Sequence, residues 1–276
     1  MKTPHTAVVG AKQQDRDVTS DTADAGGRDA RDRALGLTGY LFDLDGVVTR
    51  TASVHSEAWK RLFDDYLRER ATDPDAFVPF RLPDDYVTFV DGKPRYDGVR
   101  SFLDSRGIQL PEGTSDDPPD AETVRGLGNR KNIHFNAVMA EKGVEVFDAT
   151  VRIIRFLRAQ GRQVGCVSSS KNCRPILARA GLQDLFEVIV DGNDAEARGL
   201  AGKPNPESFL AGATQLGIEP AQIAVVEDAV AGVQAGKAGG FGLVIGIDRG
   251  AGKDALRQAG ADIVVSDMAE LEPPQG

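Results

Sequence analysis

Residues 40–49 read Tyr-Leu-Phe-Asp-Leu-Asp-Gly-Val-Val-Thr, an apolar run that ends in two aspartates and a glycine. The apolar residues before Asp43 predict a buried strand, and Gly46 predicts a turn directly after it. Two carboxylates held this close raise each other's pKa, and a bound Mg²⁺ ion would remove that cost. One aspartate could then attack phosphorus while the other moves a proton. Taken alone, the stretch fits a polar turn after a buried strand equally well.

Length and composition limit the classes of protein to which the chain can belong. Its 276 residues have room for one large domain or two smaller ones. With 42 acidic and 33 basic residues the net charge is -9, which argues against nucleic acid or an anionic membrane as a partner. Residues 1–35 carry few large apolar side chains and no signal-type apolar segment, so we expect a disordered tail there. Two cysteines are too few for a disulfide scaffold, and we expect a cytoplasmic protein, with a monomer favoured.

From about residue 144 onward, short apolar runs alternate with helical patterns. This alternation predicts an α/β fold, a doubly wound parallel sheet with helices on both faces. The predicted core comprises residues 36–53 and 144–276, and a helical stretch over residues 54–143 is inserted after the first strand. We therefore expect a sheet domain that carries an α-helical cap domain.

Polar residues follow several of the predicted strands, where sheets of this kind bind ligands. The candidates are Asp43, Asp45, Ser168, Lys203, Glu227 and Asp228. Lys203 and Ser168 would hold phosphate oxygens, and Mg²⁺ would lie between Asp43 and the later acidic pair. Each residue alone fits a helix cap or a solvated loop position as well. Together, in one order along the chain, they indicate phosphoryl transfer, in which positioning and charge neutralisation supply most of the catalysis.

Four segments resemble the ordered motifs of the haloacid dehalogenase superfamily: Asp43-Leu44-Asp45-Gly46-Val47, Ser168, Gly202-Lys203-Pro204 and Glu227-Asp228-Ala229-Val230-Ala231-Gly232. The likeness runs from about residue 39 to the end of the chain. It is closest to the β-phosphoglucomutase subfamily, whose C1 helical cap the insert resembles. The resemblance implies an aspartyl phosphate at Asp43 and proton transfer by Asp45. It also implies Mg²⁺ bound by Asp43, the Asp45 backbone carbonyl and Asp228, with Glu227 in support.

Four further residues, in or next to the cap, are assigned through this resemblance. Thr51 and His55 match the Thr and His that follow the first motif. The segment Gly98-Val99-Arg100 resembles the one that bears a phosphate-binding arginine, although one residue before the arginine is missing here. Arg130-Lys131-Asn132 is similar to the segment whose lysine helps to select the sugar phosphate. The resemblance thus implies that Arg100 and Lys131 bind the phosphate that is not transferred.

Two departures from the subfamily concern the cap and its hinge. Arg50 stands where these mutases commonly have an aspartate, and residues 71–120 form a longer cap segment with an acidic loop. Both departures bear on the entrance to the site and on its fit to a particular sugar.

The sequence leaves three functions open. The resemblance implies a mutase that converts β-glucose 1-phosphate to glucose 6-phosphate through glucose 1,6-bisphosphate, whereas the residues alone imply a small phosphorylated sugar or polyol. A phosphohydrolase of the same fold needs the same core and differs only in letting water reach the phosphoaspartate. A phosphate-responsive receiver module also carries acidic residues, a hydroxyl and a lysine on a parallel sheet, but it lacks a cap after the first strand.

Overall fold

The computed structural model describes residues 29–71 and 77–273. At its centre is a six-stranded parallel sheet with the strand order β3-β2-β1-β4-β5-β6. The strands are β1 (Gly39–Phe42), β2 (Gln163–Val167), β3 (Val188–Val190), β4 (Ile223–Glu227), β5 (Leu243–Ile247) and β6 (Ile263–Val265). The predicted α/β fold with a doubly wound parallel sheet is confirmed.

Helices cover both faces of the sheet and also form the cap. They are α1 (29–35), α2 (Ala52–Arg70), α3 (Arg95–Ser105), α4 (Val124–Lys142), α5 (Asp148–Ala159), α6 (Cys173–Ala180), α7 (Gly192–Arg198), α8 (Glu207–Leu216), α9 (Val230–Ala238) and α10 (Lys253–Ala259). A π-helical turn spans Tyr86–Val90, and three 3₁₀ turns span Gln183–Leu185, Pro220–Gln222 and Met268–Leu271. Helices α5 and α6 pack on one face of the sheet, while α8 and α9 pack on the other.

The position of β1 explains where the site forms. Tyr40 and Phe42 pack into the cluster on one face and Leu41 into the cluster on the other, and all three are buried. A parallel strand buried on both faces reads as a continuous apolar run, as residues 40–42 do. Because β1 pairs with β2 on one side and β4 on the other, the strand order reverses there, and a crevice opens at the carboxyl ends of these strands.

The inserted helices α2, α3 and α4 form the cap between β1 and β2. These helices and the π turn share one apolar cluster. Its large members include Trp59, Leu62, Phe63, Phe80, Phe102 and Leu127. The hinge ends of α2 and α4 pack instead into the main cluster of the core, through residues such as Val54 and Val138. The exact division into domains stays a prediction.

Two connections between cap and core run side by side and form the hinge. The N–H of Arg50 donates to the carbonyl of Glu145, and the N–H of Phe147 donates to the carbonyl of Val48, each over 2.9 Å. The guanidinium groups of Arg50 and Arg249 also stack on the Phe147 ring, 4.2 Å and 3.7 Å from its centre. Arg50, the first departure from the subfamily, is therefore part of the hinge.

The expectation of a disordered tail over residues 1–35 is wrong for its last seven residues. Residues 29–35 form α1, in which Ala34 is buried in the main cluster and Ala30 and Leu35 pack against it. The spacing of Ala30 and Ala34 places both on one helical face, and that small apolar face is enough to dock the helix. Residues 1–28 lie outside the described residues. Among the helices that are described, none is both long and apolar enough to cross a bilayer.

Candidate active site

Asp43, directly after β1, shares a buried network with Lys203 and Glu227. The Lys203 ammonium lies 2.5 Å from Asp43 Oδ1 and 2.6 Å from Glu227 Oε1. Burial lowers the pKa of Lys203, but attraction to the two carboxylates outweighs it and holds the pKa above its ordinary value. Burial raises the pKa of Asp43 to about 8, an effect that Lys203 opposes and the neighbouring carboxylates reinforce. Lys203 therefore fixes Asp43 through one oxygen at the edge of the crevice.

Glu227 and Asp228, at the end of β4, make different contacts. Glu227 Oε2 accepts hydrogen bonds of 2.8 Å from the next two backbone N–H groups, while its Oε1 accepts from Lys203. Asp228 packs on the turn after β1, where a Cβ on Gly46 would lie 1.8 Å from Asp228 Oδ2. Burial, reinforced by neighbouring carboxylates, raises the pKa of Asp228 well above its ordinary value. Glu227 is thus committed to protein contacts, whereas Asp228 is a buried carboxylate that a cation would stabilise.

Asp45 is held by residues at the start of the cap. The Thr51 hydroxyl donates a hydrogen bond to Asp45 Oδ1, and His55 Nε2 lies 3.4 Å from the same oxygen. On the other side of the ring, Lys131 Nζ lies 2.7 Å from His55 Nδ1. Burial favours a raised pKa for Asp45, but interactions with His55 and Thr51 outweigh it, and the pKa is lowered. Burial and the nearby Lys131 lower the pKa of His55. Asp45 is therefore an ionised, oriented carboxylate, suited to moving a proton.

A cavity of about 60 Å³ lies between the cap and the core. The predicted site residues that line it are Asp43, Asp45, His55, Lys131, Ser168, Glu227 and Asp228. Thr51 and Lys203 stand behind this lining, in contact with Asp45 and Asp43. Ser168 Oγ accepts a 3.1 Å hydrogen bond from the backbone N–H two residues further on and so shapes its own loop. Because small-molecule sites usually offer at least about 300 Å³, the cap must swing aside to admit a sugar phosphate.

Arg100 does not line this cavity, and its role in binding substrate phosphate stays a prediction. Its guanidinium pairs with Asp97 and makes hydrogen bonds of 2.9 Å and 2.8 Å to Glu112, and the residue lines a neighbouring cavity that it shares with Arg95 and Ser168. Glu112 belongs to the acidic loop of the long cap segment. The extra loop residues therefore supply a carboxylate that binds the Arg100 guanidinium.

Arg95 is the cap arginine that lines the cavity, and the sequence reasoning missed it. Its Nη2 donates a 2.9 Å hydrogen bond to Asn132 Oδ1. Helix α3 begins at Arg95, so this side chain stands in its first turn. Pro94 was the available signal, because proline is common at helix starts and its successor then begins the first turn.

Asp91 is a second cavity residue that the sequence did not single out. Its N–H donates to the carbonyl of Tyr86 over 3.0 Å, which closes the π turn, and both side chains line the cavity. Burial, reinforced by repulsion from Glu227, raises the pKa of Asp91 to about 7. Short π-helical segments are rare and often occur at functional sites. Residues 86–90 read Tyr-Val-Thr-Phe-Val, in which aromatic and β-branched residues suggest a strand although the neighbouring residues look helical. These mixed signals are the only trace of the turn in the sequence.

Comparisons with known proteins agree with this geometry. A model of the haloacid dehalogenase-like hydrolases matches residues 37–240. A β-phosphoglucomutase of Mycobacterium bovis is 50% identical over 252 residues, which cover 88% of this chain and 96% of that protein. One from Bacillus subtilis is 31% identical over 236 residues, 85% of this chain and 92% of that protein. The crystal structure of a β-phosphoglucomutase from Clostridium difficile matches the fold with a TM-score of 0.67 at 23% identity, over 86% of this chain and 93% of that one.

Fold and cavity together define an α/β enzyme with a helical cap inserted over an acidic site. The chain belongs to the haloacid dehalogenase-like hydrolase family and, within it, resembles the β-phosphoglucomutases. The prediction made from four ordered segments is confirmed. A receiver-like regulatory module is set aside, because the family and the relatives are those of enzymes.

Proposed function

We propose that the protein is a magnesium-dependent β-phosphoglucomutase that works through an aspartyl phosphate on Asp43. The observation that carries this proposal is the separate fixing of two aspartates that face one cavity. Lys203, which belongs to the core, holds Asp43. Thr51 and His55, at the start of the cap, hold Asp45. A nucleophile and a proton donor need this difference in surroundings, since the nucleophile attacks phosphorus while the acid protonates the oxygen that leaves it.

The residues fit a magnesium ion, although no metal site is complete from side chains alone. Within residues 29–71 and 77–273, no three His, Cys, Asp or Glu side chains form a metal-binding group. Magnesium commonly binds through one or two carboxylates, with water and substrate phosphate completing its shell. Asp43, Asp228 and the Asp45 carbonyl would hold it, because Asp228 packs on the turn at Gly46. The bound ion would neutralise charge on the transferring phosphoryl group.

Each chemical step then follows from a named group of this chain. An ionised oxygen of Asp43 attacks phosphorus, the bond from phosphorus to the sugar oxygen breaks, and Asp45, which must enter this step protonated, donates its proton to that oxygen. Lys203 and Ser168 hold the phosphoryl oxygens meanwhile. In the return reaction Asp45 removes the proton of the second sugar hydroxyl, which attacks phosphorus and frees Asp43. In the mutase cycle the hydroxyl attack on phosphorylated Asp43 comes first. The sugar bisphosphate that it forms must turn over beneath the cap before its other phosphate is transferred to Asp43.

The cap supplies the second phosphate site in this proposal. Arg95 and Lys131 line the cavity on the cap side, opposite the core carboxylates. Burial lowers the pKa of both groups because it disfavours their charged forms. A dianionic phosphate beside them would stabilise these charged forms again. A small phosphorylated sugar matches a site with one phosphate position in the core and another in the cap. Glucose is favoured because the relative from Mycobacterium bovis is named β-phosphoglucomutase.

A sugar-phosphate hydrolase is the second candidate, and the description of the matching family favours it. It would use the same core residues, and water would replace the sugar hydroxyl as the attacking group. The two functions therefore differ in how well the closed cap excludes water.

The decisive assay incubates the protein and Mg²⁺ with β-glucose 1-phosphate and a trace of glucose 1,6-bisphosphate. Glucose 6-phosphate formed without inorganic phosphate supports the mutase. Inorganic phosphate as the main product would instead establish the hydrolase.

Two variants test the assigned roles. Asp43→Asn should abolish both activities, because an amide is a poor nucleophile and a poor magnesium ligand. Asp45→Asn should slow turnover by about 10²- to 10⁴-fold, the range for loss of a general acid, while Mg²⁺ binding by titration calorimetry stays near the wild-type level. Turnover by Asp43→Asn would refute the nucleophile, and loss of Mg²⁺ binding in Asp45→Asn would refute backbone ligation.

A further inference from the structure

Glu196 connects the core to the cap beside the cavity. It lies on α7, and its Oε1 accepts a 2.7 Å hydrogen bond from Arg125 of cap helix α4. Its Oε2 accepts one of 2.5 Å from Lys171, which stands in the core loop after β2 and lines the cavity. One carboxylate thus joins a cation of the cap to a cation of the site.

Tyr96 of the cap completes this group. The Arg125 guanidinium carbon lies 4.1 Å from the centre of the Tyr96 ring, and Lys171 Nζ lies 5.0 Å from it. The Arg125 and Lys171 side chains are 23% and 19% exposed, against 43% for Glu196, so the cations are largely sheltered from water. An isolated exposed ion pair contributes little, but a partly buried network on an aromatic ring contributes more.

The loop that carries Lys171 contacts the cap at two further points. Ser169 Oγ donates a 2.9 Å hydrogen bond to the Gly92 carbonyl, and Asn172 Nδ2 donates one of 2.9 Å to Asn132 Oδ1. The same loop begins with Ser168, the proposed phosphate ligand. Residues 168–172 therefore link closure of the cap to the shape of the loop that is proposed to bind phosphate. Glu196 adds a charged contact to this boundary between cap and core, which we call the seam.

We propose that Glu196 is a positioning residue that favours the closed cap and so sets how often water intercepts the phosphorylated aspartate. The proposal rests on the proposed function. When the cap is closed, a sugar hydroxyl attacks phosphorus, its proton passes to Asp45, and the bond to Asp43 breaks. When the cap is open, water makes the same attack and yields inorganic phosphate. The ratio of inorganic phosphate to glucose 6-phosphate reports the balance.

The test measures this ratio in Glu196→Gln, Arg125→Gln and the double variant, with the substrates named above. Each single variant should raise the ratio by about three- to tenfold, the shift expected from loss of a partly buried network. The double variant should raise the ratio by less than the product of the two single effects, because both changes remove the shared contact, while Glu196→Gln also frees Lys171 and Arg125→Gln also frees Glu112. A ratio within about twofold of wild type in both single variants would overturn the proposal.

Glu272→Gln is the matched control. Glu272 pairs with Arg152 over 2.7 Å, and this pair lies wholly in the core. The control loses the same charge and an ion pair of the same kind, so it should leave the product ratio unchanged. An equal rise in this variant would assign the effect to net charge and overturn the role of Glu196.

Amide hydrogen exchange supplies a readout that does not depend on turnover. Residues 92–98, at the seam, should exchange faster in Glu196→Gln than in wild type or Glu272→Gln. If wild-type protein releases only inorganic phosphate, the proposed mutase fails, while exchange at the seam still decides on Glu196. Equal exchange in all three proteins would refute the contact as a determinant of closure.

Discussion

Lys203 shows how one buried side chain can determine the arrangement of several others. Two carboxylates hold its ammonium within 2.6 Å, and the three groups occupy the ends of different segments of the chain. Removing one partner of such a network leaves an uncompensated buried charge, which commonly costs about 3–5 kcal/mol. Lys203 is thus a structural residue of the crevice as well as the phosphate ligand proposed above.

Arg95 and Arg100 give a matched test at the residue scale, because both lie on α3 and only Arg95 lines the cavity. Arg95→Ala should raise KM for the sugar phosphate by about tenfold or more, because a hydrogen bond to a charged group contributes about 1.5–3 kcal/mol. Arg100→Ala removes the same charge and should change KM by less than about twofold, because the side chain is bound to Asp97 and Glu112. Steady-state kinetics check both variants, and the reverse order of effects would contradict the geometry.

The sequence indicated the core residues well and the cap residues less well, for a physical reason. Asp43, Ser168 and Asp228 each follow a short apolar strand, and parallel strands bring such positions to one edge of the sheet regardless of detail. The position of the Arg95 side chain depends on where α3 begins after Pro94, because a different first residue would move the side chain by a full turn. The resemblance, which rests on short segments, could not show where α3 begins, and it pointed to Arg100 rather than Arg95.

The π turn is the element that brings the cap onto the acidic end of β4. Gly92 follows it with φ +69°, and a Cβ there would lie 2.9 Å from the Ala229 Cβ at the start of α9. The backbone conformation and the close approach both require glycine. Residues 91–94, Asp-Gly-Lys-Pro, predict a turn at this glycine, but no pattern within the cap could reveal which core residue it would meet.

Gly92→Ala should therefore impair closure of the cap, in addition to the stability that the protein loses through backbone strain. Gly107 is the control, since it has φ +67° and nothing within 4 Å of a Cβ. Gly107→Ala should lower the free energy of unfolding by about 1 kcal/mol and leave kcat/KM unchanged. Gly92→Ala should cost at least as much and lower kcat/KM as well, which denaturant unfolding and kinetics would measure. Equal kcat/KM in both variants would show that the contact with Ala229 is dispensable.

At the scale of the whole molecule, the buried acidic group couples stability to pH and magnesium. Burial raises the pKa of Asp43 to about 8 and that of Asp91 to about 7, while an unfolded aspartate titrates near pH 4. Between these values the folded protein retains protons that the unfolded chain has lost. The contribution of both groups to stability therefore falls as the pH rises from about 4 to about 8. Lys131, whose pKa burial lowers, acts in the opposite sense.

Magnesium should reverse this loss, because it binds the ionised carboxylates and competes with their protons. The rise in melting temperature on adding Mg²⁺ to chelator-treated protein should be larger at pH 8 than at pH 6. Comparing samples with and without Mg²⁺ at each pH leaves the Lys131 contribution unchanged. Asp43→Asn should show a small rise at both pH values. A rise independent of pH in wild type would argue against these carboxylates as the site.

The architecture was predictable as a whole because alternating strand and helix patterns with short connections leave few topologies open. The helix over residues 29–35 escaped prediction, since its docking depends on alanines whose small apolar face carries little signal. The small cavity likewise depends on how far the cap closes, a property of contacts between distant segments.

The paired hinge has a consequence for the order of events during opening. We expect the hydrogen bonds between its two connections to make the cap pivot about a line through the hinge, close to Thr51. Helix α4 reaches from that line to Arg125 over seventeen residues, about 26 Å at 1.5 Å per residue. A swing of only about 10° thus carries Arg125 about 4.5 Å by that length and breaks its contact with Glu196. The Thr51 hydroxyl should barely move, so its hydrogen bond to Asp45 should persist while the contact between Arg125 and Glu196 is already broken.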